Sequence, residues 1–219
     1  MSHPFILELV KRNSVIPLLK PERVADTLPL VEALQEGGLT AFEVSLTSAN
    51  GADVLKCLRD HCSDIAFGAS GILNAEDAKR AKALGAMFVS SPGFSPSAVQ
   101  ACAKLKLPCI PGVSTTSELM MAREIGFTVL HVYPAHLSDS QTLARAWLDL
   151  MPEVQLYPTG GLTEALATEW LAHPNVCTVS GSWLSCPDDL QRRLWRNIIA
   201  AAQRASSLKA RLKTRQQAA

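Results

Sequence analysis

Short runs of β-branched and apolar residues alternate along this chain with longer amphipathic stretches. That alternation predicts repeated βα units around a parallel sheet, because strands buried on both faces read as continuous apolar runs. The runs fall at residues 15–19, 41–46, 65–70, 87–91, 108–113, 129–133, 154–157 and 176–180. Eight parallel strands close a (β/α)8 TIM barrel, so the predicted fold is one α/β barrel with an extra amino-terminal helix. The helix belongs to residues 1–14, where Phe5, Ile6, Leu7, Leu9 and Val10 surround Glu8, and it covers the barrel floor. Residues 15–205 form the barrel. Near its end Pro187, Asp188 and Asp189 open a helix whose buried face carries Leu194, Trp195, Ile198 and Ile199. A basic tail, 206–219, follows, and its last residues are expected to fray.

Glycines divide into two sets. Gly37, Gly38, Gly85 and Gly126 stand just before strands, where a helix ends in a left-handed residue. Gly93, Gly112, Gly160, Gly161 and Gly181 stand at the strand tops, which places the functional site on the carboxyl-terminal face of the sheet.

Composition changes this picture little. Hydrophobic residues make up 47% of the 219 and aromatics only 5%, so Ala, Leu and Val must fill the core of a single domain. With 21 basic and 20 acidic residues the net charge is +1, which supplies no long-range field for nucleic acid or anionic lipid. The basic carboxyl-terminal run is read as a solvated helix face. No apolar run is long enough to cross a bilayer, and no leader is visible, so the expected location is the cytoplasm. Six scattered cysteines without a C-x2-C pair are read as reduced thiols, and no metal or other cofactor is expected.

Three motifs carry chemistry. Tyr157-Pro158-Thr159-Gly160-Gly161-Leu162 and Ser180-Gly181-Ser182-Trp183-Leu184 follow the last two strands, where glycine amides and hydroxyls form a phosphate cup. Glu43 interrupts the apolar strand Phe42-Glu43-Val44-Ser45-Leu46; a buried carboxyl of this kind has its pKa raised toward neutrality and suits proton transfer. His131 sits in the middle of Val129-Leu130-His131-Val132-Tyr133.

With these motifs in place the chain resembles the 2-keto-3-deoxy-6-phosphogluconate / 4-hydroxy-2-oxoglutarate aldolase family. The likeness runs in order through VIPLL, FEVSL, GASGIL, SSPG, IPGVSTTSEL, VYPA, YPTGGL and GSWL. It implies a lyase that cleaves a phosphorylated 2-keto-3-deoxy sugar acid to pyruvate and an aldehyde, assembled as a homotrimer. It also implies substrate contacts at Pro92, Pro134, Thr159, Gly160, Gly161 and Ser182, with Glu43 as acid/base. In the family, strand six carries the lysine that forms a Schiff base; here the position is His131, which has no primary amine, and the motif ends in His136 instead of glutamate. Thr47 stands for the family's arginine, and Ser70 precedes Gly71 where the family has glycine then threonine. Lys20, directly after the first strand, is the one other lysine placed near a strand top.

The expected ligand is thus a small phosphorylated keto acid or sugar phosphate. Three functions remain open at this level: an aldolase-family lyase that has lost its imine chemistry, a phosphosugar isomerase or epimerase using Glu43 and His131, and a phosphometabolite-binding protein without turnover.

Overall fold

The computed structural model describes residues 3–217. Its strands are β1 (Val15–Leu19), β2 (Ala41–Ser45), β3 (Ala66–Ser70), β4 (Phe88–Ser90), β5 (Cys109–Ile110), β6 (Gly112–Val113), β7 (Val129–Val132), β8 (Gln155–Pro158) and β9 (Val179–Gly181). Helices α1 (Pro4–Arg12), α2 (Thr27–Glu36), α3 (Gly51–His61), α4 (Ala75–Ala83), α5 (Pro96–Lys104) and α6 (Thr116–Glu124) occupy the first part of the chain. They are followed by α7 (Ser138–Leu150), α8 (Glu164–Leu171), α9 (Pro187–Gln191), α10 (Trp195–Ser206) and α11 (Leu208–Gln217). The result is an α/β fold with a curled parallel sheet of six strands, ordered β5-β4-β3-β2-β1-β9, and a second parallel sheet of three, β6-β7-β8.

Local chemistry accounts for the helix boundaries. Asn74 accepts from the amides of Glu76 and Asp77 to start α4, and Thr115 with Glu118 forms a reciprocal capping box at α6. Gly85 and Gly126, with φ of 91° and 95°, follow these two helices in the left-handed region that a side chain would strain. Buried leucine, valine and alanine dominate the main core, into which the wholly buried Trp147 and Trp170 bring most of the large aromatic surface. Both indoles are satisfied: Trp147 donates to Thr116 Oγ1 at 3.0 Å and Trp170 to the Ala135 carbonyl at 3.1 Å. The second of these bonds fixes the loop after β7, next to the site.

Ile6, Leu9 and Val10 of α1 pack in a separate apolar cluster with Ile16, Ala41, Phe88, Ile110, Val129 and Tyr157. These partners come from β1, β2, β4, β5, β7 and β8, so one helix face meets the inner side chains of six strands.

The structure departs from the predicted elements in four places. The run at 108–113 is two short strands parted at Pro111, whose missing N–H interrupts the ladder while its carbonyl still accepts from His131 N at 2.9 Å. The run at 176–180 starts pairing with β1 only at Val179, and Val176 makes an isolated bridge to Leu156. The helix read from Pro187 onward breaks after Gln191, because Arg193 takes φ 53°, and resumes as α10. The segment read as a fraying tail contains α11: Leu208 is buried, and the Lys209 ammonium donates to the carbonyls of Val10 and Asn13 at 2.9 and 3.1 Å. Its periodicity is weak, so what marks it as part of the packed body is tertiary contact: Leu208 joins the main core, Leu212 packs on it, and Lys209 reaches the end of α1.

Gly112 lies directly behind the strand-four turn. A Cβ there would press on the Pro92 carbonyl and come within 2.5 Å of Ser91 O, both backbone atoms that cannot rotate away. Gly112→Ala is expected to destabilise the fold by about 1–3 kcal/mol, read as a lower urea midpoint with unchanged slope. An unchanged midpoint would show that the turn moves freely.

Candidate functional site

The strand alternation aims one set of side chains at the carboxyl-terminal face. Glu43, Ser45 and Thr47 are two residues apart on and just beyond β2, as are His131 and Tyr133 at β7 and Tyr157 and Thr159 at β8. Register then lines up a row of hydroxyls, because Ser45 pairs with Ser70 and Ser70 with Ser90. Above this layer lies a cavity of about 350 Å³. Its wall runs from Leu18 and Lys20 through Ser45, Thr47, Ser70, Gly71, Leu73 and Pro92 to His131, Tyr133, Thr159, Gly160, Gly161, Ser180 and Ser182. Nine residues singled out from the sequence therefore share one cavity: Lys20, Thr47, Ser70, Pro92, His131, Thr159, Gly160, Gly161 and Ser182.

Pro134 lines a separate cavity with Ser140 and Leu143, and Glu43 is the other exception. It is wholly buried under the cavity and is not among the residues that line it. Tyr157, also wholly buried, donates its hydroxyl to Glu43 Oε2 at 3.1 Å and meets the His131 ring edge-on, with centroids 4.3 Å apart and planes at 90°. His131 Nε2 is 3.9 Å from Glu43 Oε1, beyond hydrogen-bond range. Neither of those atoms has a hydrogen-bond partner, and the buried Ser90 Oγ, near enough to favour the Glu43 carboxylate, also closes no bond of ordinary geometry. Three unsatisfied polar atoms in one layer are unusual for a protein interior.

Burial sets the charge state. It pushes the Glu43 carboxyl up to about 7, against the opposing pull of the Ser90 and Tyr157 hydroxyls. The same desolvation pushes the His131 imidazole down to about 3. Although close enough to count as an ion pair by distance, the two groups are therefore both neutral between these values, and their contact is not a salt bridge. Burial, then the neighbouring Glu43 carboxyl, holds the Tyr157 phenol above its ordinary value, so it stays a donor.

In the loop after β8, beside the end of β7, Gly160 and Gly161 take φ of 91° and 70°. A Cβ on Gly160 would come within 2.7 Å of the Tyr133 ring, and one on Gly161 within 2.5 Å of His136 Nδ1. Both conformation and space require glycine here. Among the described residues, the amides of Gly160 and Gly161 make no hydrogen bond. His136 is exposed, and its Nδ1 is 3.3 Å from the Gly160 carbonyl. Lys20 reaches both this cavity and a smaller adjoining one formed with Glu22, Arg23, Asp26 and Gln191.

Tyr157, Ser45 and Ser180 stood inside the motifs read from the sequence without a role of their own, and Ser90 was not among the candidate residues. Tyr157 stands two residues before Thr159, so alternation alone would have placed it on the inner face; Ser90 becomes a neighbour of Glu43 only through the pairing of three strands. Among the described residues no three His, Cys, Asp or Glu side chains are grouped to hold a metal, and no helix is long and apolar enough to cross a membrane. The six cysteines are unpaired thiols.

A parallel α/β sheet with a polar cavity at its strand tops, glycine amides on one wall and an ionisable pair beneath, defines the class: a small-molecule site of the kind these sheets carry at their carboxyl ends. Comparison with known proteins is more specific. The chain belongs to the KDPG and KHG aldolase family, whose model matches residues 6–201. The 2-dehydro-3-deoxy-phosphogluconate aldolase of Treponema pallidum is 37% identical over 179 residues, covering 82% of this chain and 85% of the relative. Among solved structures, the KDPG aldolase of Legionella pneumophila, with pyruvate captured as a covalent carbinolamine, superposes with a TM-score of 0.87 at 31% identity over 91% of this chain and 97% of that one. The 2-keto-3-deoxy-6-phosphogluconate aldolase of Zymomonas mobilis with 3-phosphoglycerate gives 0.84 at 28% identity, covering 93% and 96%.

Proposed function

We propose that this chain binds a small phosphorylated 2-keto acid in the strand-top cavity and does not cleave it through an imine. The carrying observation is that one cavity is lined by Gly160 and Gly161, Thr159, Ser182 and Lys20 together with His131. Unpartnered amides beside hydroxyls and an ammonium suit the oxyanions of a phosphate. The relatives support that class of ligand, since one of them was solved with 3-phosphoglycerate. A carbinolamine is the adduct of a carbonyl with an amine, and the lysine that lines this cavity is Lys20, at the phosphate side. Imidazole at the position of His131 offers no such adduct as an electron sink.

The same proposal includes closure of the strands into an eight-stranded barrel. It is supported by β9 pairing with β1, the bond from His131 N to Pro111 O, and the Leu156–Val176 bridge. In it α1 caps the floor and the body extends to the carboxyl-terminal helix. A homotrimer, as the resemblance implies, would draw on the exposed Met87, Met120, Met121 and Ile125, and a cytoplasmic location fits a metabolic ligand.

Titration calorimetry with 2-keto-3-deoxy-6-phosphogluconate tests the binding. Lys20→Ala and Ser182→Ala are each expected to weaken it about tenfold, the loss of one charge-assisted or hydroxyl bond. No heat and no thermal shift at millimolar ligand would sink the proposal.

A further inference from the structure

Tyr157 and Glu43 do not line the cavity, yet they converge on His131, which does. A neutral imidazole carries a single N–H, and the hydrogen bond at one ring nitrogen decides which nitrogen holds it. The inner nitrogen here is Nε2, which faces Glu43 Oε1. If the imidazole is to meet a ligand by hydrogen bond or proton transfer, it must do so through Nδ1.

The Tyr157 hydroxyl then determines how Glu43 presents itself. It donates to Oε2 at 3.1 Å, so in the protonated carboxyl Oε2 is the accepting oxygen and the proton resides on Oε1, toward His131. The edge-on Tyr157 ring holds the imidazole in place meanwhile. A closing movement of about 1 Å brings the 3.9 Å gap between Oε1 and Nε2 to hydrogen-bond length, satisfying two orphaned atoms at once.

We propose that Tyr157 and Glu43 are positioning residues that set the tautomer of His131, so that its Nδ1 presents a donor to the cavity when Glu43 is protonated and a base when Glu43 is ionised. In the first state Oε1–H donates to Nε2 and the ring proton is on Nδ1. In the second, Nε2–H donates to the carboxylate and Nδ1 has a free lone pair. Passage from one to the other moves the carboxyl proton from Oε1 to Nε2 while the Nδ1 proton leaves into the cavity, so one proton crosses and no other bond changes. His131 is thereby the outlet of a buried acid that no ligand touches.

The surroundings allow this. Glu43 is flanked in register by Leu18 of β1 and Gly68 of β3, neither of which titrates. Ser90 of β4 adds a hydroxyl, Tyr157 of β8 a phenol kept protonated, and His131 of β7 the imidazole. Cys177 lies behind Tyr157 as a thiol pushed up to about 12, and Lys20 is the charged group at the cavity wall. The carboxyl pushed up to about 7 places the change of state in the neutral range.

The inference deepens the reading of the cavity as a ligand site and rests on it, but its test needs no ligand. In protein labelled with ¹⁵N-histidine, the His131 signals are assigned by their loss in His131→Phe. The expected spectrum has the proton on Nδ1 at about pH 6 and on Nε2 at about pH 8.5, with a midpoint near about 7. Glu43→Gln should abolish the switch, leaving one tautomer at every pH. Tyr157→Phe keeps the ring and removes only the donor, so it should move the midpoint upward. One tautomer throughout this range in the wild-type chain, a switch that survives Glu43→Gln, or a midpoint untouched by Tyr157→Phe would overturn the assignment. Failure of ligand binding alone would leave these spectra unchanged.

Discussion

His131→Lys is expected to turn a chain that pyruvate leaves unmodified into one that borohydride traps as a single reduced pyruvyl adduct on the new amine. The position favours this chemistry. Its side chain lines the cavity, burial there disfavours the charged ammonium as it disfavours the imidazolium, and Glu43 lies 3.9 Å from the present imidazole to exchange protons with the amine. Exchange of the pyruvate methyl protons with solvent should accelerate by at least about 10³-fold, some 4 kcal/mol of barrier. Cleavage of the full phosphorylated substrate should gain less, since Thr47 and Ser70 occupy cavity positions where the family resemblance implies other contacts. An adduct on Lys20 of the wild-type chain would reverse the conclusion, because an amine at the phosphate side would then be doing the covalent work.

The second large effect is on stability. Glu43 has a folded-state pKa of about 7 against an ordinary 4.5, so the native state holds its proton longer and stability is lost as pH rises from 4.5 to 7. At about 1.4 kcal/mol per unit this amounts to about 3 kcal/mol. His131 behaves oppositely in sign. Its folded-state pKa is about 3 against 6.5, so the unfolded chain takes up the proton first and stability is lost as pH falls from 6.5 toward 3, by up to about 5 kcal/mol. Between 4.5 and 6.5 the two slopes nearly cancel. Urea midpoints measured across this range should show Glu43→Gln gaining on the wild-type chain toward pH 7, and His131→Phe gaining on it toward acid. Differences between chains remove the contribution of the surface carboxylates. Curves that run parallel would mean that water reaches both groups and that neither is desolvated.

Much of this was legible in one dimension. Apolar runs marked most strand positions within one or two residues, because a strand buried on both faces has few residue types to choose from. Gly85 and Gly126 marked helix ends, and Gly160 with Gly161 marked the loop that only glycine can trace. The misreadings share a cause. Pro111, Arg193 and the residues before Val179 interrupt elements that a hydrophobic pattern joins, since pattern reports burial while pairing depends on backbone donors and dihedral angles. The carboxyl-terminal helix α11 escaped for the opposite reason: it is tied down by Leu208 in the core and the Lys209 bonds to the end of α1, too few positions to read as an apolar stripe.

By itself the amino-acid sequence determined the parallel α/β plan, the face on which the site lies, and the presence there of an imidazole with a strand-borne carboxyl, for each follows from side-chain type and the two-residue period of a strand. Only the tertiary structure decided that Glu43 lies beneath the cavity wall, that Tyr157 and Ser90 join it, and that Lys20 and Ser182 share one cavity with Gly160 and His131. Those relations depend on register between strands far apart in the chain, and register together with the desolvation it produces sets which groups are neutral, which atoms lack partners, and which nitrogen is left to face a ligand.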